Sequence, residues 1–327
     1  MNLDISSLST GSSTSGAEEE RVKVLILGSG PAGLSAALYT ARADLNPVVL
    51  SGIELGGQVS LTYTVENYPG FPEGVGGMEL VDLFKKQAEK FGARVEYDSA
   101  GEVDFTRRPF RVKSVNGKQY LADTVIITTG ARSVHLDVPG ENELTGRGVS
   151  YCATCDGWFF KEKDVIVVGG GDSALEEGLF LTRYADSVTV VHRRDQLRAG
   201  PILVERAQAN PKIKFELNSV ISEIIGNGAV QSVQLKDTQT GEVRHKPVDG
   251  VFIFIGHTPN TELFKGQLDM DEHGYLKVDQ LMQTNIPGVF AAGEVADPNF
   301  RQVITSAGMG AAAAMRANHF LDEHGSA

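Results

Sequence analysis

The sequence predicts an α/β fold built around two copies of one strand–loop–helix–strand unit. Three observations predict it. An apolar run at Val22–Leu27 ends in Gly28-Ser-Gly30-Pro-Ala-Gly33 and passes into a small-residue-rich helical pattern. The same grammar returns at 164–191, around Gly169-Gly-Gly171-Asp-Ser-Ala174. The two loops stand about 140 residues apart (169 − 28 = 141), a spacing that suits two domains in a chain of 327 residues.

In the first unit, Val22–Leu27 reads as a strand buried on both faces, and Pro47–Leu50 as its parallel neighbour beyond the helix. G-x-G-x-x-G between a strand and a helix is the fingerprint of a Rossmann-like dinucleotide-binding turn. Gly28 is expected to make the tight turn, Gly30 to let the backbone approach a pyrophosphate, and Gly33 to let the helix pack on the strand. The helix N-terminus then meets the phosphates with unpaired N–H groups and the positive end of its dipole. In the second unit Ala174 stands where the third glycine would be, which the fingerprint permits.

The residues after each second strand separate the two units. An acidic residue there would hold a free ribose hydroxyl. After VTVV comes His192-Arg193-Arg194-Asp195, with Arg198 close behind. Two or three guanidiniums at that place suit a 2′-phosphate, each charge-assisted bond contributing roughly 1.5–3 kcal/mol. Two such bonds favour NADPH over NADH by on the order of a hundredfold or more. The first unit continues instead into Glu54, somewhat late for a ribose acid, and then Gly57-Gln58. One unit taken by NADPH leaves the other for FAD, since nicotinamide reduces flavin by hydride transfer.

The segment YCATCDGWFF at 151–160 holds the chain's two cysteines, Cys152 and Cys155. They admit three uses: half of a metal site, inert packed thiols, or a redox pair. A structural zinc site needs four protein ligands, and the seven scattered histidines offer no second pair at diagnostic spacing. C-x-x-C closes a small, readily reducible ring and commonly contains a thiol of lowered pKa, which favours the redox use. Asp156 next to the pair can shuttle a proton, or simply cap a helix. Trp158 and Phe159 are core-like on composition alone.

A net charge of −12 argues against a nucleic-acid partner, whose phosphates need clustered Lys and Arg. No apolar run of about 18 residues appears, so no membrane span is expected. The Ser/Thr/Gly-rich start reads as a flexible lead over residues 1–20, without the basic and apolar regions of a secretory signal. With two cysteines, that points to a reducing compartment and a cytoplasmic location.

CATCDG between the two glycine loops, followed by HRRDQLRA, GVFAAGE and RQVITSAGMG, resembles the low-molecular-weight bacterial thioredoxin reductases, which are NADPH-dependent flavoprotein disulfide reductases. The similarity runs from about Val22 to the end of the chain. It implies a homodimer whose subunits carry FAD and NADPH and reduce thioredoxin, with no nucleic acid or membrane involved. It also implies that an NADPH domain, residues 132–261, is inserted into a discontinuous FAD domain made of 21–131 and 262–327.

The resemblance assigns FAD to Gly28, Ser29, Gly30, Pro31, Ala32, Gly33, Glu54, Gly57, Gln58, Asn67, Val103, Gly293, Glu294, Arg301, Gln302 and Val303. NADPH falls to Gly169, Gly170, Gly171, Asp172, Ser173, His192, Arg193, Arg194, Arg198 and Ile255. Arg147, Trp158 and Phe159 would dock thioredoxin. Cys155 would lie nearer the flavin, Cys152 would be the outward nucleophile, and Asp156 would carry the proton. Because the disulfide and the nicotinamide must reach one flavin at different moments, the inserted domain is expected to rotate on its two crossings, near Gly130–Val134 and His257–Thr261. Two positions depart from the usual family residues: Glu294 stands for Asp, and Trp158 for Phe.

Three other functions fit less of the chain. A reductase component for a peroxidase would carry an additional N-terminal domain with its own thiol pair, which the 20-residue lead does not supply. Flavodoxin- or ferredoxin-type NADPH reductases lack the C-x-x-C. A nucleotide-sensing module using its thiols as a switch would show no rapid turnover with NADPH and a disulfide.

Overall fold

A computed structural model describes residues 19–52, 55–62 and 64–325. Chain order runs β1 (Glu19–Leu27), α1 (Pro31–Arg42), β2 (Val48–Leu50), α2 (Gly77–Lys90), β3 (Arg94–Glu96), β4 (Ala100–Asp104), β5 (Phe110–Ser114) and β6 (Gln119–Ile127). It continues through β7 (Ala131–Ser133), α3 (Glu141–Leu144), β8 (Val149–Ser150), α4 (Ala153–Asp156), β9 (Asp164–Val168), α5 (Asp172–Leu181), β10 (Ser187–Val191), α6 (Pro201–Ala209) and β11 (Ile213–Glu216). The rest comprises β12 (Ser219–Gly226), β13 (Val230–Asp237), β14 (Val243–Pro247), β15 (Gly250–Ile253), β16 (His257–Pro259), β17 (Val289–Ala291) and the long α7 (Val303–His324).

One sheet has the order β3-β2-β1-β6-β5-β4, with β17 also pairing β6. Its β3-β2-β1-β6 core is parallel, whereas β4, β5 and β6 form an antiparallel meander. Both faces are covered, which is why Val24–Leu27 is a continuous buried apolar run and not an alternating one. One face carries an alanine contact, Ala32, Ala36, Ala37 and Ala41 of α1 against Ala313, Ala314 and Ala317 of α7. The helices approach so closely that a Cβ on Gly310 would lie 2.0 Å from the Ala32 carbonyl oxygen. The other face holds Phe105, Phe110, Tyr120 and Phe264.

A second sheet, β11-β10-β9-β15-β8, is parallel throughout. The antiparallel meander β12-β13-β14 covers one of its faces through Ile221, Ile224, Val233 and Leu235. Between the sheets the chain crosses twice, and the crossings pair with each other: β7 and β16 form an antiparallel ribbon, Ser133 opposite His257 and Ala131 opposite Pro259. Asn260 extends the ribbon, its N–H donating to Gly130 O at 2.9 Å and its side-chain amide to Thr129 O at 2.8 Å.

The α/β class and both strand–loop–helix–strand units stand as expected. The last two residues of the lead do not: β1 begins at Glu19, inside the segment read as flexible. Glu19 pairs with Gln119 and Glu20 with Tyr120, and Lys118 Nζ holds the Glu20 carboxylate at 2.7 Å. Pairing and charge from β6 supply order that Ser/Thr-rich composition does not reveal. Residues 1–18 and Glu54 lie outside the described residues. Among the described residues, no helix is long and apolar enough to cross a membrane, and no group of His, Cys, Asp and Glu is arranged to hold a metal ion.

Candidate active site

Both glycine loops open onto one cavity of about 1790 Å³ that runs between the two sheets. Its wall takes Gly28–Ala32 from the first loop and Gly171–Ala174 from the second, and the disulfide-bearing segment lines it as well.

The glycines divide by environment. Gly28 has φ +113°, and a Cβ there would stand 2.3 Å from Thr128 O. A Cβ on Gly33 would stand 2.0 Å from Gly28 O. Gly169, at φ +146°, is likewise closed in by Phe254 O at 2.4 Å. The middle glycines differ: Gly30 meets only Gly56 O at 3.9 Å, and Gly171 only Arg198 Nη2 at 4.0 Å. Outer positions are therefore needed for internal packing, while the middle ones leave room on the cavity side. Gly30 and Gly171 are also the N-caps of α1 and α5, and neither helix start has a side-chain cap. Apart from Pro31, which has no N–H, their first-turn N–H groups remain available to an anion. Two open glycines, two uncapped helix starts and one large cavity fit two dinucleotides.

Around the first loop, Ser29 is buried; its hydroxyl donates to Ser51 O at 2.7 Å and accepts from Gly56 N–H at 3.0 Å. Gly57, Gln58, Asn67, Gly293, Glu294, Arg301, Gln302 and Val303 all line the cavity. Gly293, at φ +78°, packs where a Cβ would come within 2.9 Å of Ala32 Cβ. Val103 does not reach the wall. Its carbonyl is held by Gln267 Nε2 at 2.8 Å, its side chain joins the core, and Ser99 and Ala100 line the cavity instead.

In the second unit, Ser173, Arg198 and Ile255 reach the wall. The Arg198 loop is fastened to the glycine loop: Gly170 O accepts from the N–H of Arg198 (2.6 Å) and Ala199 (3.0 Å), and Asp172 Oδ1 accepts from Gly200 N–H at 2.7 Å. Asp172 thus serves its own fold. Arg193 and Arg194 are exposed beside this loop. His192, which the resemblance assigns to NADPH, does not line the cavity. It is 6% exposed, packed where a Gly170 Cβ would strike its ring, and burial with the neighbouring arginines lowers its pKa. A neutral imidazole packed against Gly170 is what these surroundings favour.

Cys152 and Cys155 are joined in a disulfide at the start of α4. Three groups approach the Cys152 sulfur: the N–H of Cys155 at 3.2 Å, Thr154 Oγ1 at 3.4 Å and Gln302 Nε2 at 3.9 Å. Gln302 also donates to Thr154 Oγ1 at 3.2 Å and accepts from Asn67 Nδ2 at 3.1 Å. Ser150, whose hydroxyl accepts from Cys152 N–H at 3.1 Å, donates to Asp156 Oδ2 at 2.6 Å. Burial pushes the Asp156 carboxyl up, and the Ser150 bond opposes part of that rise. A carboxyl shifted upward beside a disulfide is suited to exchange a proton in thiol chemistry.

Trp158 and Phe159 are 58% and 41% exposed, contrary to their core-like composition. It is Phe160 that is buried, edge-on to Phe252 at 5.0 Å. Arg147 is exposed at the cavity's rim.

Charged groups far apart in the chain meet at the site. Arg301, at φ +48°, places Nη1 against the His257 imidazole, whose pKa burial and that positive charge bring down to about 4. Burial raises the carboxyl pKa of Glu177 on α5 and of Glu294, with Arg301 the opposing charge on both. Glu177, Ser150 and Thr154 are silent in the sequence because no spacing rule marks them.

The family model described as pyridine nucleotide-disulphide oxidoreductase matches residues 22–310. The thioredoxin reductase of Streptomyces coelicolor is 51% identical over 300 residues, 91% of this chain and 93% of the relative. The crystal structure of thioredoxin reductase from Streptococcus pyogenes superposes with a TM-score of 0.89 at 44% identity, covering 93% of this chain and 99% of that one. Lactococcus lactis thioredoxin reductase in its FR conformation, at 42% identity and 92% and 99% coverage, superposes with a TM-score of only 0.62.

Proposed function

The chain belongs to the pyridine nucleotide-disulphide oxidoreductase family, among relatives that are thioredoxin reductases, and from that premise we propose that it carries electrons from NADPH through FAD and the Cys152–Cys155 disulfide to the disulfide of thioredoxin. One observation carries the reading: the disulfide lies on the wall of the cavity onto which both glycine loops open.

The chemistry FAD supplies when bound is two-electron transfer between a nicotinamide hydride and a disulfide. The chain's residues do the rest. The α1 start, with Gly30 and Gly57, takes the pyrophosphate of FAD, and Gly293, Glu294, Arg301, Gln302 and Val303 line the remainder of its site. The α5 start, with Gly171 and Ser173, takes that of NADPH, while Arg193, Arg194 and Arg198 take its 2′-phosphate. Asp156, its carboxyl shifted up by burial, gives a proton to the opening disulfide and later recovers one. The dithiol reduces thioredoxin through a mixed disulfide, Cys152 attacking first. Arg147, Trp158 and Phe159 hold the partner at the rim.

Residues 21–131 with 262–327 act as the FAD domain and 132–261 as the NADPH domain, a division supported by the two separate sheets. Rotation about the β7–β16 ribbon lets the disulfide and the nicotinamide alternate at one flavin. Two solved relatives of nearly equal identity and coverage but TM-scores of 0.89 and 0.62 support more than one arrangement of the same parts. A cytoplasmic homodimer is the working assembly.

An anaerobic NADPH titration followed by visible absorption tests the reading. A yellow protein should bleach and take up more than one two-electron equivalent, because flavin and disulfide both accept. A colourless protein, or uptake of one equivalent, overturns it.

A further inference from the structure

We propose that Gln302 and Thr154 select Cys152 as the thiolate when the disulfide opens, and that Gln302 does so only while the two sheets keep the arrangement seen here. The proposal rests on the electron route above and adds to it which sulfur carries the charge, and when.

Reduction breaks the S–S bond with two electrons supplied by NADPH. With one proton, the products are one thiol and one thiolate. Donors decide which sulfur keeps the charge, because hydrogen bonds to the charged form favour it. Every donor lies on one side. Cys152 Sγ has the Cys155 N–H, the Thr154 hydroxyl and the Gln302 amide, whereas no hydrogen bond reaches Cys155 Sγ among the described residues. The donors also form an ordered chain. Asn67 donates to Gln302 Oε1, which turns Nε2 toward Thr154 and the sulfur. Thr154 Oγ1, accepting from Gln302, keeps its own hydrogen for Cys152. Each bond in such a series polarises the next. Cys155 therefore takes the Asp156 proton and Cys152 keeps the electron pair.

Asn67 and Gln302 belong to the first sheet's side of the cavity; Thr154 and Cys152 follow β8 of the second. Gln302 is 150 residues from Cys152 in sequence, so any rotation that separates the sheets withdraws it. The thiolate is then less stabilised and intrinsically more nucleophilic, because nucleophilicity rises with thiol pKa. That change comes as Cys152 must attack a partner's disulfide.

The test compares the pH midpoint of iodoacetamide alkylation at Cys152, read by tandem mass spectrometry, on full-length holoenzyme reduced with dithiothreitol and freed of it anaerobically. Asp156, Glu177, His135, His257, Glu294 and Arg301 line the same cavity and are common to all samples. Gln302→Leu and Thr154→Val should each raise the midpoint, a three- to tenfold loss in acid dissociation constant being about 0.5–1 pH unit. Gln302→Glu should raise it further and Gln302→Lys lower it, a dependence on charge sign that a merely structural role would not produce. Midpoints that stay fixed, or that move the same way for Glu and Lys, overturn the proposal. Dithiothreitol reduces the pair whether or not NADPH does, so failure of the electron route shows separately, as a wild-type protein that NADPH leaves oxidised.

Discussion

The guanidinium of Arg301 closes on the imidazole of His257, tying the turn before α7 to a strand of the β7–β16 ribbon. Burial and that charge keep the imidazole neutral, with a pKa of about 4 against an ordinary 6.5. The unfolded chain therefore binds more protons between these values, and stability falls as pH drops through that window. His257→Gln should flatten the acid-side decline of urea midpoints between pH 6.5 and 4. An unchanged slope would place the acid sensitivity elsewhere.

The Ser150–Asp156 pair makes a second titration testable. A carboxyl raised by burial stays protonated to higher pH than an exposed one. Ionising it costs folding free energy above its ordinary pKa, so Asp156→Asn should be neutral to stabilising at pH 7. The same substitution should slow thioredoxin reduction by about a hundredfold or more. Ser150→Ala removes a bond that favours the carboxylate, so the limb of the pH–rate profile set by Asp156 should move to higher pH. Stopped-flow reduction across pH 5–9 measures both.

Gly30 and Gly33 separate binding from folding. Gly33→Ala places a Cβ 2.0 Å from a backbone oxygen and should cost about 1–3 kcal/mol of stability. Gly30→Ala meets nothing closer than 3.9 Å and should change apoprotein stability by no more than about 0.5 kcal/mol, yet purify with little FAD. Equal thermal midpoints for the two variants would contradict this division.

The arginines beside the second loop differ from the buried histidine that precedes them. Arg194→Ala and Arg198→Ala should each raise the KM for NADPH by about tenfold or more and leave that for NADH nearly unchanged. His192→Ala should lower stability through the void beneath Gly170, with the NADPH-to-NADH preference retained. Steady-state kinetics with both nucleotides decides.

The ribbon is open to stiffening at Gly130 (φ +67°) and Gly256 (φ +129°), where a Cβ has room but the backbone does not favour one. The double variant Gly130→Ala/Gly256→Ala should turn over several-fold more slowly and keep its FAD. An unaltered turnover would argue against rotation on these crossings.

Much of the molecule is legible along the chain, because its signals are short-range. A glycine at a positive φ, an uncapped helix start, a doubly buried strand and two thiols three residues apart are each set by neighbours within a few residues. Both units, the FAD and NADPH loops and the redox pair rest on such signals. Val103 and His192 do not line the cavity, because family position says nothing about which way a strand-end residue faces. Trp158 and Phe159 are ambiguous in sequence because apolar residues serve cores and docking faces alike.

Only the tertiary structure brings Gln302 to Cys152 across 150 residues, Arg301 to His257 across 44, and Glu20 into the first sheet. Contacts of that kind depend on how elements far apart in the chain sit against each other. No local periodicity or spacing encodes that placement, which arises from the packing of whole surfaces. The sequence by itself determined the parts of an electron relay; their arrangement decided which sulfur the donors reach.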